Sequence, residues 1–106
     1  MHFYLNKHYI YFVLIDYRPN IFFGCTVGRV ANRISKAQFK LNDFTYNLDK
    51  NNGEHCLHGG FQGFSQKNWE YSLIKNGVKF TCFSPDNDCG FPGSCFNFFI
   101  IFIRSK

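Results

Sequence analysis

Long hydrophobic runs are missing from this sequence. The two most apolar stretches, Tyr9 to Ile15 (YIYFVLI) and Phe98 to Ile103 (FFIIFI), fall well short of the ~20 residues a spanning helix requires, so no membrane partner is expected. The first follows Lys7 and His8 in the manner of a secretory leader. What comes after it, however, is Asp16-Tyr17-Arg18-Pro19 and not a small-residue cleavage site. Runs of like charge are missing as well. Twelve basic residues against seven acidic ones give a net charge of +5, which raises nucleic acid as a partner. Yet Lys36, Lys40, Lys50, Lys67, Lys75 and Lys79 stand singly and form no basic stripe, so no nucleic-acid partner is expected. There is no C-x-x-C, and the five cysteines are odd in number and unevenly spaced. That pattern speaks against a paired disulfide scaffold and for reduced thiols in a cytoplasmic protein, mostly buried as small apolar side chains.

What the chain has in quantity is aromatic side chains, fifteen Phe and six Tyr in 106 residues, a length that suits one domain or a piece of one. Aromatics on short alternating runs favour strands. Phe39 and Leu41, then Phe44, Tyr46 and Leu48, alternate with polar residues around Asn42-Asp43 and predict a hairpin. Trp69, Tyr71 and Leu73, then Val78, Phe80 and Cys82, predict a second hairpin around Asn76-Gly77. Between them, Asp49 to Ser65 (DKNNGEHCLHGGFQGFS) reads as a long glycine-rich loop without strand pattern, and loops of that length are often functional. Gly24 to Ile34 (GCTVGRVANRI) admits one short helical turn over Arg29 to Ile34. Hairpins joined by polar loops predict an all-β fold, an antiparallel β-sandwich, with no repeat, linker or second domain.

The candidate site residues come from the loops. His58 precedes two glycines, on backbone able to bend sharply and leave the imidazole open to a ligand. Asn32 and Arg33 sit in Val30-Ala31-Asn32-Arg33-Ile34. If Val30 and Ile34 anchor a helical turn, Asn32 and Arg33 project elsewhere and offer an amide and a five-donor fork for vicinal hydroxyls. A surface Arg in an ion pair is the plainer alternative. His55, Cys56 and His58, with Cys82, Cys89 or Cys95, suggest a metal, but these spacings match no usual zinc site and no metal is expected. Glu54 with either histidine is a generic acid–base pair, and Trp69 is either a sugar-stacking platform or core.

Taken in order, GRVANRI (Gly28 to Ile34), NNG (Asn51 to Gly53), LHGG (Leu57 to Gly60), Gly63-Phe64 and SPD followed by GFPG (Ser84 to Gly93) resemble the aldose 1-epimerase family. FFG at Phe22 to Gly24 looks like that family's approach to GRVANRI. The resemblance spans about three-quarters of the chain and implies a β-sandwich of the galactose mutarotase type, present here as an incomplete piece. It implies interconversion of the α and β anomers of a hexose such as galactose or glucose, without metal or organic cofactor. A base takes the anomeric proton while an acid protonates the ring oxygen, so the ring opens and recloses. By position, Asn32 and Arg33 match the family's substrate-binding pair, and His58 matches the first of its two active-site histidines. The family's general acid, a second His, and its general base, a Glu, have no counterpart here; Glu54, Asp86 and Asp88 do not sit in matching positions.

The expected organisation is an unmatched segment over 1–15, a partial sandwich domain over 16–93 and an unmatched apolar tail over 94–106, as an incomplete gene model or transcript would produce. On this reading the chain alone binds a hexose and turns over little or none. Two alternatives stand beside it. One is a non-catalytic carbohydrate-binding relative of the same superfamily. The other is a small basic metal- or RNA-binding protein.

Overall fold

The computed structural model describes Phe22 and residues 24–102; the segment 1–15, with its apolar run, lies outside the described residues. Among the described residues every strand pairs antiparallel. Strand β1 (Arg33–Ile34) pairs with β4 (Cys56–Leu57), and β2 (Gln38–Leu41) pairs with β3 (Phe44–Asn47). Strands β5 (Glu70–Ile74), β6 (Gly77–Ser84) and β7 (Cys95–Phe102) form a three-stranded sheet in that order. Among the described residues, helix is confined to two 3₁₀ segments, Ser35–Ala37 and Phe64–Gln66. The chain is all-β and antiparallel, as its alternation predicts.

The β2–β3 hairpin closes where expected. Asn42 and Asp43 both take left-handed backbone, at φ 47° and 64°. That is the twist a two-residue hairpin loop needs, and it suits short polar side chains. Phe39 faces Tyr46 across the ladder with rings 5.3 Å apart. Burial is concentrated at the base of this hairpin. Ala37, Leu48, Cys56 and Phe91 form a small core, with Ile34, Phe39 and Cys89 packed against it, whereas Phe44 at the tip is 69% exposed.

The second hairpin is displaced by one residue from its expected position. Ile74 pairs with Gly77, so the loop is Lys75-Asn76, with Asn76 in the left-handed region at φ 61°. Gly77 is the first residue of β6. Its bare Cα lies against β7, where a Cβ would come 2.5 Å from the Ile101 carbonyl oxygen. The glycine therefore serves close strand packing, not the turn.

Strand β7, drawn from the segment 94–106, pairs with β6 over eight positions and alternates half-buried and exposed residues. On the inner face Phe99 stacks on Phe80 at 4.9 Å, and Trp69 meets Phe99 edge-on at 5.1 Å. Trp69 also donates from Nε1 to the Phe64 carbonyl at 3.0 Å, so it packs with core aromatics and does not serve as an open platform. The outer face carries Phe96, Phe98 and Phe102, all exposed.

Two further expectations need correction. No helical turn forms over Arg29 to Ile34: Asn32 is left-handed at φ 64°, which a right-handed turn cannot accommodate, and β1 follows at once. Val30 is exposed and anchors nothing inward. Nor is the Asp49 to Ser65 loop free of strand, for Cys56–Leu57 is β4, and Asn52 and His55 bridge just before it. Two residues are too few to display alternation, which is why the pattern stayed hidden.

Candidate functional site

The short β1–β4 ladder brings the candidate residues together. Arg33 lies opposite Leu57, and continuing that register by one position sets Asn32 opposite His58. The two residues interlock. The His58 amide donates to the Asn32 carbonyl at 3.0 Å, and the Asn32 amide donates to Nδ1 of the His58 ring, also at 3.0 Å. An N–H aimed at Nδ1 requires a lone pair there, so the ring hydrogen resides on Nε2. His58 is thereby oriented with one donor left to offer. The ring is flanked by Phe22, in edge contact at 4.6 Å. His58 itself is left-handed at φ 52°, and Gly59 and Gly60 continue with positive φ, so the chain turns away directly after the imidazole.

Arg33 is exposed and donates from Nε to Oδ1 of Asn52 at 3.0 Å, leaving the two Nη groups at the open end of the fork. Asn51 supports the opposite strand. Its side chain accepts from the Leu57 amide at 2.7 Å and donates to the Leu57 carbonyl at 2.8 Å, as a neighbouring strand would. In the sequence NNG shows only a pair of amides ahead of a glycine turn, with nothing local to mark Asn51 as the strand's partner. The resulting surface presents an imidazole donor, a guanidinium fork and the side-chain amide of the exposed Asn32, a set suited to neutral hydroxyl groups.

Other candidates are used differently. His55 accepts the Lys36 amide at Nδ1, 3.1 Å away, and so holds the 3₁₀ turn. Glu54 is exposed. Among the described residues no three His, Cys, Asp or Glu side chains gather to hold a metal. Burial pushes the Cys89 thiol up to about 11, with Asp49 and Asp88 acting in the same direction, and burial followed by Asp49 raises Cys56 also. These thiols stay protonated near neutrality and are poor nucleophiles.

The residue that ties the site to the sheet is Arg29, which no local pattern distinguishes from Arg33. All five of its donors are engaged. Nε donates to Ser84 Oγ, Nη1 to the carbonyls of Pro92 and Gly93, and Nη2 to the carbonyls of Ser84 and Pro85, over 2.6–3.2 Å. Its guanidinium also lies 5.9 Å from the centroid of the Phe91 ring in the core. The Ser84 hydroxyl donates in turn to Asp88, which pairs with Lys67 at 2.8 Å. Burial would raise the Asp88 carboxyl, but hydrogen bonds from Lys67 and Ser84 and the charges of Lys67 and Arg29 outweigh it and hold the group below its usual range. A carboxylate lowered on folding adds stability above its unfolded pKa of about 4, and that contribution disappears as pH falls through the folded value. Asp88→Asn is expected to flatten the acid side of the stability curve, with variant and parent converging in urea titrations as pH falls through the lowered folded value. Parallel curves across that range would refute the assignment.

Known proteins resemble this chain over most of its length. The family model for aldose 1-epimerase matches residues 13–96. The chain is 49% identical over 72 residues to the galactose mutarotase of Bos taurus, covering 68% of this chain and 21% of that protein. To the aldose 1-epimerase of Haemophilus influenzae it is 46% identical over 76 residues, covering 69% and 22%. Among solved structures, the GalM/aldose epimerase homologue from C. elegans superposes with a TM-score of 0.66 at 34% identity, covering 72% of this chain and 24% of the other. The chain thus spans about a fifth of the length of the curated relatives it matches.

Proposed function

The chain belongs to the aldose 1-epimerase family, and from that premise we propose that Asn32, Arg33 and His58 hold a hexose, galactose or glucose, in an enzyme that interconverts its α and β anomers. The observation that carries this reading is the mutual lock between Asn32 and His58. It fixes the imidazole as a neutral donor through Nε2 beside a guanidinium fork and an amide. A pyranose offers adjacent hydroxyls that both accept and donate, which such a set can hold without a metal or organic cofactor.

Ring opening needs more than this surface. It calls for a base at the anomeric hydroxyl and an acid at the ring oxygen, each worth ~10²–10⁴-fold. Among the described residues the histidines are His55 and His58, and both have Nδ1 engaged by backbone amides. By the family resemblance, however, the general acid and general base match no described residue, and on that ground we assign this segment the binding step and not proton transfer. Titration of the 15N-labelled chain with galactose is expected to shift the resonances of Asn32, Arg33 and His58 together. His58→Ala should weaken binding about fivefold, and Arg33→Ala more than tenfold, as loss of one neutral and of charge-assisted hydrogen bonds implies. Polarimetry on fresh α-galactose should show mutarotation no faster than buffer. Shifts confined to other residues would refute the binding assignment, and a rate well above buffer would refute the division of labour.

A further inference from the structure

We propose that Asn52 is a positioning residue for Arg33, delivering the guanidinium to the sugar already oriented; the inference rests on the sugar-binding reading above. Two chain segments, 33–36 and 52–56, are fastened to each other at three points. In the middle Ile34 pairs with Cys56 in the β1–β4 ladder. At one end the Lys36 amide donates to the His55 ring. At the other the Arg33 side chain donates to Asn52. Asn52 is itself held, because its amide and carbonyl exchange hydrogen bonds with those of His55 at 3.1 and 3.0 Å across a tight turn. Its side-chain oxygen is therefore offered from backbone with little freedom of its own.

The chemistry follows from which donor is taken. A guanidinium fork presents different edges, and the Nε edge is the one nearest its own chain. Engaging Nε at Asn52 fixes the plane of the fork and reserves the two Nη groups for a ligand. A long exposed Arg otherwise samples many rotamers, and immobilising such a side chain on binding costs about two- to tenfold in affinity. Asn52 moves that cost into folding.

Galactose titration of the full chain and its variants, with the Arg33 Nε–H resonance followed in the same spectra, tests this. In the parent that resonance should be resolved and slow to exchange. Asn52→Ala should abolish its protection and weaken galactose binding about two- to tenfold while His58 remains interlocked with Asn32. Asn52→Asp keeps an acceptor and should retain both the protected resonance and most of the affinity, separating positioning from damage to the fold. Equal affinity for Asn52→Ala and parent, with Arg33→Ala still weaker, would overturn the positioning role alone. A parent chain that takes up no galactose would overturn the sugar reading, and with it this role. An unprotected Arg33 Nε–H in the parent would overturn the role whatever the affinity.

Discussion

Gly59→Ala is expected to be severely damaging for a single added methyl group. A Cβ at this position would sit 1.6 Å from the carbonyl oxygen of Gly28 and 2.6 Å from the Arg29 amide nitrogen. Both of those atoms are backbone, so no rotamer change relieves the clash. Gly59 is also at φ 92°, outside the region an L-residue occupies comfortably. Strain and overpacking together cost roughly 3 kcal/mol or more, a large part of a small domain's stability. The segments carrying GRVANRI and LHGG could no longer approach, so the Asn32–His58 lock should fail with the fold. Gly53→Ala is the matched control. Gly53 has φ 61° but nothing within 4 Å of its absent Cβ, so only the conformational part, about 1 kcal/mol, is expected there. Urea unfolding of both variants decides the matter: equal midpoints would show that the contact with Gly28 is not what demands glycine.

The second large effect is expected at Arg29. Removing its side chain leaves the Ser84 hydroxyl and the Ser84 carbonyl without their donors at a residue that is fully buried, and frees the carbonyls of Pro85, Pro92 and Gly93. The bonds to Pro85 and Gly93 are at the exposed side, where water substitutes, so they add little. The partly buried bonds carry the cost, roughly 2–4 kcal/mol for Arg29→Ala. Arg29→Lys should rescue little, because three donors on one nitrogen cannot reproduce a fork that meets five acceptor contacts. The diagnostic reading is local. Amide exchange should quicken over residues 84–93, which Arg29 gathers, before it quickens in the β2–β3 hairpin. Uniform acceleration throughout the chain would mean that Arg29 stabilises in bulk and does not organise that loop.

Much of this fold could be read directly from residue order. The β2–β3 hairpin followed from alternation around Asn42-Asp43, since short polar residues tolerate the left-handed backbone that both adopt. The second hairpin was legible as a hairpin but not in its register. Asn76-Gly77 satisfies a turn rule, yet the glycine is needed one strand away, against Ile101, and that contact has no local signature. Arg29 and Arg33 show the same limit from the other side. Both lie in one seven-residue motif, and nothing local distinguishes a guanidinium with five partners inside the structure from one held by a single asparagine at its surface.

Residue order alone was enough for the antiparallel class, for the polar connections between hairpins, and for choosing Asn32, Arg33 and His58 as candidates. These depend on period-two patterning, on turn propensity and on ordered motifs, all of which act along the chain. Pairing across the fold was needed to show that Asn32 and His58 lock each other, that Asn52 and not an acid engages Arg33, and that Gly59 must be bare. Each of those is a contact between segments 19 to 31 residues apart, set by close backbone approach and hydrogen-bond direction once the strands have paired.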